Sequence, residues 1–179
     1  MKKLIIIPAR AGSKGIPKKN IKLLGGKPLI SYSINFAKSI ANSGDIICVS
    51  TDDVNVLKIA DDCGVLQSFI RPDELSTDSA STSEVILHAI NFYKKNGIQF
   101  DAIALLQPTS PFRDLSDYKA MEKIYLKNLP DMVVSVKTIK DSPYFNLFQE
   151  GKNGMLTKIF KNNKTSNRQD NPSVYGYNG

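Results

Sequence analysis

Apolar residues along this chain come in short unbroken bursts, separated by stretches where they recur every three or four positions. Leu4-Ile5-Ile6-Ile7 has no polar break and reads as a buried strand. Over residues 28–43 the period lengthens. Leu29, Ile30, Ser33, Ile34, Ala37, Ile40 and Ala41 mark one helical stripe, Pro28 suits the first turn and Gly44 suits the end. Residues 45–51 read as a strand, and Asp52 or Asp53 caps a helix running to Gly64. Residues 65–70 predict a short strand. Ser81-Thr82-Ser83-Glu84 opens a helix that closes near Asn96-Gly97. Ala102-Ile103-Ala104-Leu105-Leu106 predicts a central strand, a helix follows from about Leu115 to Asn128, and Met132-Val133-Val134-Ser135-Val136 predicts another strand. Strand alternating with helix predicts an α/β sandwich with a mostly parallel sheet.

The rhythm fails after Lys137. The next residues are rich in Gly, Asn, Lys and Pro, with short apolar pieces such as Met155-Leu156 and Ile159-Phe160. We therefore expect an α/β core over residues 1–137, an inserted arm or flap over 138–170, and a return to the core over 171–179. Val174-Tyr175-Gly176-Tyr177-Asn178-Gly179 reads as a strand entering a turn with nothing after it. The expectation is a chain that lacks its C-terminal part.

Charge sharpens the picture. Of the formal +7, residues 1–44 contribute nine Lys and Arg with no Asp or Glu, while the remainder holds 15 basic against 17 acidic residues. The excess centres on residues 8–20, Pro-Ala-Arg-Ala-Gly-Ser-Lys-Gly-Ile-Pro-Lys-Lys-Asn, directly after the first strand. Open α/β sheets bind ligands at that end of a strand. Glycine lets backbone N–H groups approach an anion, and cationic side chains neutralise it. Backbone N–H groups around Gly12-Ser13, with Arg10 and Lys19, are suited to a triphosphate. The spacing is neither Walker A nor G-x-G-x-x-G. The basic excess is local and not interleaved with aromatics, which argues against nucleic acid. No run of about 18 apolar residues exists to span a membrane. Pro8 and Arg10 break the N-terminal apolar run where a signal peptide would continue, so the expected location is cytoplasmic. Cys48 and Cys63 lack metal-ligand spacing and read as buried free thiols.

Two further loops carry candidate chemistry. Gln107-Pro108-Thr109-Ser110-Pro111-Phe112-Arg113 follows a strand, and the Gln107 amide offers both a donor and an acceptor to a base or sugar edge. Residues 71–82 set Arg71 and several hydroxyls just before a helix N-terminus, where anions, sugar hydroxyls or simple capping are the alternatives. His88, the one histidine, lies among Val85, Ile86, Leu87, Ala89 and Ile90 and reads as a packed helix residue.

Together, the 8–20 loop, Leu105-Leu106-Gln107-Pro108-Thr109-Ser110-Pro111 and Arg168-Gln169-Asp170 followed by Asn178-Gly179 resemble the cytidylyltransferases that activate nine-carbon acidic sugars, the CMP-sialic acid synthetase family, with CMP-Kdo synthetases as more distant relatives. The resemblance implies a Rossmann-like, three-layer α/β/α nucleotidyltransferase fold, with CTP as donor, Mg2+ as cofactor and a homodimer joined by the arm. By matching motif positions it puts Arg10, Ala11, Gly12, Ser13, Lys19 and Asn20 on the nucleotide and its phosphates, and Arg71 and Thr82 near the cytidine. Gln107 and Asn178 fall on the sugar side, and Arg168 near the acceptor or in the partner's site. It also implies catalytic roles for Arg10, Lys19 and Arg168. The implied reaction is attack by the anomeric hydroxyl of an acidic sugar on the α-phosphorus of CTP, so CTP and that sugar are the expected small-molecule partners.

The chain departs from the family pattern in two places. Asp141-Ser142-Pro143-Tyr144-Phe145 has no Lys where sialic acid enzymes often meet the sugar carboxylate, and Gly176 stands where an Arg is common. These departures point to a related acceptor such as legionaminic or pseudaminic acid. The family's Asp-x-Asp metal pair falls after Asn-Gly, so no residue here is assigned to metal, and Asp52 and Asp53 read as a helix cap. The alternatives are a sugar nucleotidyltransferase using another nucleotide, and a nucleotide-binding module without catalysis.

Overall fold

The computed structural model describes residues 1–12, 15–66, 69–160 and 172–178. In chain order the elements are β1 (Lys3–Pro8), a 3-10 turn (Lys19–Ile21), β2 (Leu23–Leu24), β3 (Lys27–Pro28), α1 (Leu29–Ile40), β4 (Ile46–Ser50), α2 (Val54–Asp62), a second 3-10 turn (Asp73–Leu75), α3 (Thr82–Lys95), β5 (Ala102–Leu105), α4 (Leu115–Asn128), β6 (Val136–Thr138), β7 (Phe148–Glu150), β8 (Leu156–Lys158) and β9 (Tyr175–Tyr177). The chain divides into two compact units, residues 1–123 and 124–179.

The first unit is built on a parallel three-stranded sheet in the order β4-β1-β5. Alternate residues of β1 feed opposite faces. Ile5 and Ile7 pack with Ile30, Ile34 and Ala37 of α1, and with Val56 and Ala60 of α2. Leu4 and Ile6 pack with Cys48 and with Ala89 and Tyr93 of α3. Helices thus cover both faces, giving the three-layer α/β/α arrangement. Leu4 through Ile7 are all 0% exposed, and truncating any of them to Ala is expected to cost about 2–5 kcal/mol.

Several sequence expectations are corrected. Residues 102–106 were expected to form a central strand, but β1 holds the centre and β5 lies at an edge. Ile103 and Leu105 pair with Leu4 and Ile6, so they share the α3 face. Since α3 packs over β1 and β4, these two side chains remain 40% and 39% exposed. Helix α1 stops at Ile40, not Ser43, because residues 42–45 close a turn. The Asp45 N–H donates to the Asn42 carbonyl at 3.0 Å, the Asp45 carboxylate accepts the Asn42 N–H at 2.9 Å, and Gly44 sits at φ +90°. No strand forms among the described residues of 65–70. There the Val65 N–H returns to the Ala60 carbonyl at 2.9 Å, and Leu66 and Ile70 lie exposed.

Lys3, next to the chain start, is only 2% exposed and belongs to the core. Its ammonium lies 2.6 Å from the Glu122 carboxylate of α4 and 3.5 Å from Asp45, and donates to the Ile40 carbonyl at 3.2 Å. The Lys3 N–H also donates to Asp45 at 2.7 Å.

In the second unit β6 pairs antiparallel with β9, and β7 with β8. The strand expected at 132–136 therefore begins only at Val136 and lies outside the parallel sheet. Its ladder is as long as its partner: Val136 faces Tyr177 and Thr138 faces Tyr175, and the Asn178 N–H then bonds the Ser135 carbonyl at 3.1 Å. The Tyr144 and Phe160 rings stack at 4.7 Å.

Candidate functional site

Because the sheet is parallel, β1, β4 and β5 release their loops at one end: Ala9-Arg10, Thr51-Asp52 and Leu106-Gln107. Register sets Pro8 beside Ser50 and Ile6 beside Leu105. The strand connections run to opposite sides of β1, which makes this end a topological switch point, the usual ligand position in open α/β sheets.

The loop after β4 stitches the loop after β1 in place. The Ala9 N–H continues the ladder to the Ser50 carbonyl at 2.9 Å, and the Thr51 hydroxyl donates to the Ala9 carbonyl at 2.5 Å. The Ala11 N–H donates to the Asp52 carboxylate at 2.8 Å, and buried Asn20 donates from its amide to the Arg10 carbonyl at 3.0 Å. The peptide groups flanking Arg10 are therefore both held. Asp53 alone caps α2, accepting the Asn55 N–H at 2.9 Å. Asp52, expected to share that cap, instead fixes the basic loop.

The guanidinium of Arg10 reaches the segment between Arg71 and α3. It donates to the Thr77 carbonyl and to the Asp78 carboxylate, each at 2.5 Å. Arg71, 3% exposed, anchors the start of that segment. Its N–H donates to the Thr51 carbonyl at 2.9 Å, its Nε donates to the Ser50 hydroxyl at 3.0 Å, and its Nη2 donates to the Ser50 carbonyl. Burial pushes the Arg71 pKa down; the charge of Asp52 opposes that shift and the charge of Arg10 adds to it. Arg10, Asp52 and Arg71 thus form one electrostatic cluster, in which each cation has an acidic neighbour.

Gly12 is exposed, and a Cβ placed there would meet nothing within 4 Å. The fold itself therefore leaves open space at this glycine. Lys19 is half-buried in the 3-10 turn, which Lys18 enters at φ 52°. Thr82 is exposed at the first turn of α3, while Ser81 and Glu84 form the capping box. The cap expected among residues 79–83 is thus Ser81, which leaves the Thr82 hydroxyl free of that duty. Ser13 and Arg168 lie outside the described residues, as does the 161–170 part of the expected arm. Asn178 belongs to the second unit.

On β5, the Leu106 N–H bonds the Ile6 carbonyl at 2.9 Å. The Gln107 carbonyl then accepts both the Ser110 N–H at 3.2 Å and Nη2 of Arg113 at 2.5 Å. The Gln107 side-chain amide makes no hydrogen bond among the described residues. His88 is a packed residue as expected, its ring edge-on to Phe69 at 4.9 Å.

Asp52, Asp78 and Arg113 are the residues that sequence reasoning passed over. Each stood beside a recognised segment: Asp52 just after a strand, Asp78 among the hydroxyls of residues 76–83, Arg113 at the end of the Gln107 loop. Among the described residues no three or more His, Cys, Asp or Glu gather to hold a metal ion, and no helix is long and apolar enough to cross a membrane.

The arrangement suits an anionic ligand that takes over from Asp78 on Arg10, lies along an open glycine backbone and extends toward a free amide. The family model described as Cytidylyltransferase matches residues 4–175. The chain is 33% identical over 177 residues to the pseudaminic acid cytidylyltransferase of Campylobacter jejuni serotype O:2, covering 98% of this chain and 75% of that protein. It is 36% identical over 143 residues to CMP-N,N'-diacetyllegionaminic acid synthase of Legionella pneumophila, covering 80% of this chain and 61% of that one. It is 41% identical over 122 residues to N-acylneuraminate cytidylyltransferase of Escherichia coli, covering 68% of this chain. The matched segment spans only 28% of the Escherichia coli protein. Among solved structures, CMP:2-keto-3-deoxy-manno-octonic acid synthetase complexed with CTP shares the fold at TM-score 0.58 and 23% identity, covering 77% of this chain and 52% of that one.

Proposed function

This chain belongs to the cytidylyltransferase family, and from that premise we propose that it transfers CMP from CTP to the anomeric hydroxyl of an acidic nine-carbon sugar, releasing pyrophosphate. The carrying observation is the pairing of the Arg10 loop with the free Gln107 amide at the ends of adjacent parallel strands. Relatives named for pseudaminic, legionaminic and N-acylneuraminic acids support that sugar class.

In the proposed reaction the anomeric oxygen forms a bond to the α-phosphorus, the bond from that phosphorus to the β-phosphate oxygen breaks, and the hydroxyl proton is lost. Catalysis is positioning and charge stabilisation. Arg10 and Lys19 neutralise the charge that grows on pyrophosphate. The Gly12 backbone admits the phosphates closely. Arg71 and Thr82 border the cytidine, and Gln107 orients the sugar, with Asn178 and Arg168 assigned to the acceptor side by the family motif. Mg2+ belongs to the proposal as the usual companion of a triphosphate. The described carboxylates do not form a cage for it, and no step here is routed through it. A cytoplasmic location and a second copy of the chain as partner complete the reading.

The test is pyrophosphate release with each of the four NTPs against sialic, legionaminic, pseudaminic and Kdo sugars, using this chain and any sequence that follows it in its gene. CTP-specific release with a nine-carbon acid supports the proposal. Release with a different nucleotide overturns the cytidylyl assignment. CTP binding with no release for any sugar favours a binding module.

A further inference from the structure

We propose that Arg113 is the positioning residue for Gln107, and that it tunes affinity for the acceptor sugar rather than for the nucleotide. The inference rests on the functional reading above. The guanidinium of Arg113 bridges two elements: Nη2 donates to the Gln107 carbonyl at 2.5 Å, and Nη1 donates to the hydroxyl of Ser33 on α1 at 3.2 Å. Ser33 is 0% exposed, so this anchor is part of the core.

The geometry at Gln107 makes the bridge consequential. Its carbonyl accepts from both Ser110 and Arg113, which fixes the peptide plane after Gln107. The Leu106 N–H is held by β1, which fixes the backbone before it. The direction in which the Gln107 side chain leaves the backbone is thus set from both sides, while its amide bonds no described residue. An amide so held loses less entropy on binding than one on a loose loop.

Arg113 also makes no ion pair with a carboxylate among the described residues. Its guanidinium lies 5.8 Å from the centre of the Phe36 ring, and burial pushes its pKa down. Desolvating a cation without an anion is costly, and the return visible here is the fixed Gln107 loop. Lysine, with a single ammonium, cannot reproduce the planar fork that reaches both acceptors.

The experiment compares wild type, Arg113→Lys, Gln107→Ala and the double variant by steady-state pyrophosphate release, varying sugar and CTP separately. Arg113→Lys is expected to raise KM for the sugar about tenfold, the scale of one charge-assisted hydrogen bond, with KM for CTP within about twofold. Gln107→Ala is expected to raise the sugar KM further, and the double variant to match Gln107→Ala alone, since residues that act through one another are not additive. Multiplying effects, an equal rise in KM for CTP, or no change in Arg113→Lys overturns the inference. If Arg113→Lys does not fold, Ser33→Ala removes one acceptor and no charge, and carries the same expectation. A wild type inactive with every acidic sugar overturns the functional reading, and this inference falls with it. An active wild type with the wrong variant pattern overturns the inference alone.

Discussion

The Asp52 carboxylate accepts the backbone N–H of Ala11 at 2.8 Å. A side chain placed to cap the helix after β4 instead pins the basic loop after β1. Asp52→Ala therefore loses a hydrogen bond to a charged acceptor and removes the charge that most favours protonated Arg71. We expect a stability loss of about 1.5–3 kcal/mol and weaker CTP binding, because the loop must then be ordered by the ligand. Urea unfolding and calorimetric titration of the variant check this; unchanged stability would contradict the pinning role.

Gly12→Ala separates fold from ligand. Apart from its chain neighbours, no atom of the described residues lies within 4 Å of the added methyl, so the melting temperature should stay within a few degrees of wild type. If phosphates approach this backbone, CTP affinity should fall at least tenfold. Equal CTP affinity in wild type and variant removes Gly12 from the binding surface.

Arg10→Ala should behave similarly for a different reason. The Arg10–Asp78 pair is partly exposed, at 31% and 45%, and such pairs contribute about 0–1 kcal/mol. Stability should barely move while CTP binding drops by about one to two orders of magnitude, the scale of a lost charge-assisted phosphate contact. A large melting-temperature loss with intact CTP affinity would reverse the assignment.

The Lys3–Asp45–Glu122 cluster defines a pH window. Burial opposes the Asp45 charge, but the N–H groups of Asn42 and Lys3 and the Lys3 ammonium outweigh it and hold the carboxyl below its usual range. Burial likewise opposes the Lys3 charge, but Glu122, Tyr118 and Asp45 together raise its pKa. A depressed carboxylate stabilises above its unfolded pKa, and that share is lost as pH falls through its folded value. A raised ammonium stabilises below its unfolded pKa, and that share is lost as pH rises through its folded value. Stability should therefore be flat between about pH 5 and pH 10 and decline outside. Asp45→Ala should lower the plateau and soften the acid limb in urea unfolding across pH; an unaltered acid limb would exclude Asp45 as its source.

Burial pushes the Cys48 thiol up to about 12, whereas Cys63 is only half-buried at the end of α2. Iodoacetamide at pH 8 should label Cys63 in the native protein, and Cys48 only after denaturation, as read by peptide mass. Native labelling of Cys48 would mean that the β1–β4–α3 packing opens readily.

What was legible in the sequence was local. Leu4–Ile7 declared a buried strand by its unbroken apolar run, and the helix expected from about Leu115 to Asn128 is observed as α4. What failed depended on partners distant in the chain. Val136 becomes strand only where residues 175–177 pair with it, and β5 is an edge because, among the described residues, only β1 pairs with it. The basic loop showed itself by composition, but Asp52, Asp78 and Arg113 acquire their roles through tertiary contacts that no local pattern encodes. The burial of Lys3 was not legible either, because nothing nearby in the chain signals the carboxylates of Asp45 and Glu122.

The ladders of β1 join Leu4 to Ile46 on one side and Lys3 to Ala102 on the other. Pairings so distant along the chain close large loops before they return any stabilisation, which makes them slow to form. The Ala11–Asp52 bond needs the first ladder in register, and the fixed Gln107 carbonyl needs the second. A chain emerging from the ribosome can thus form the Asp52-pinned loop once β4 has docked, but the Gln107 half only after β5 has been synthesised and docked. The appearance of acceptor-sugar binding after that of nucleotide binding during refolding would then serve as a clock for the docking of β5.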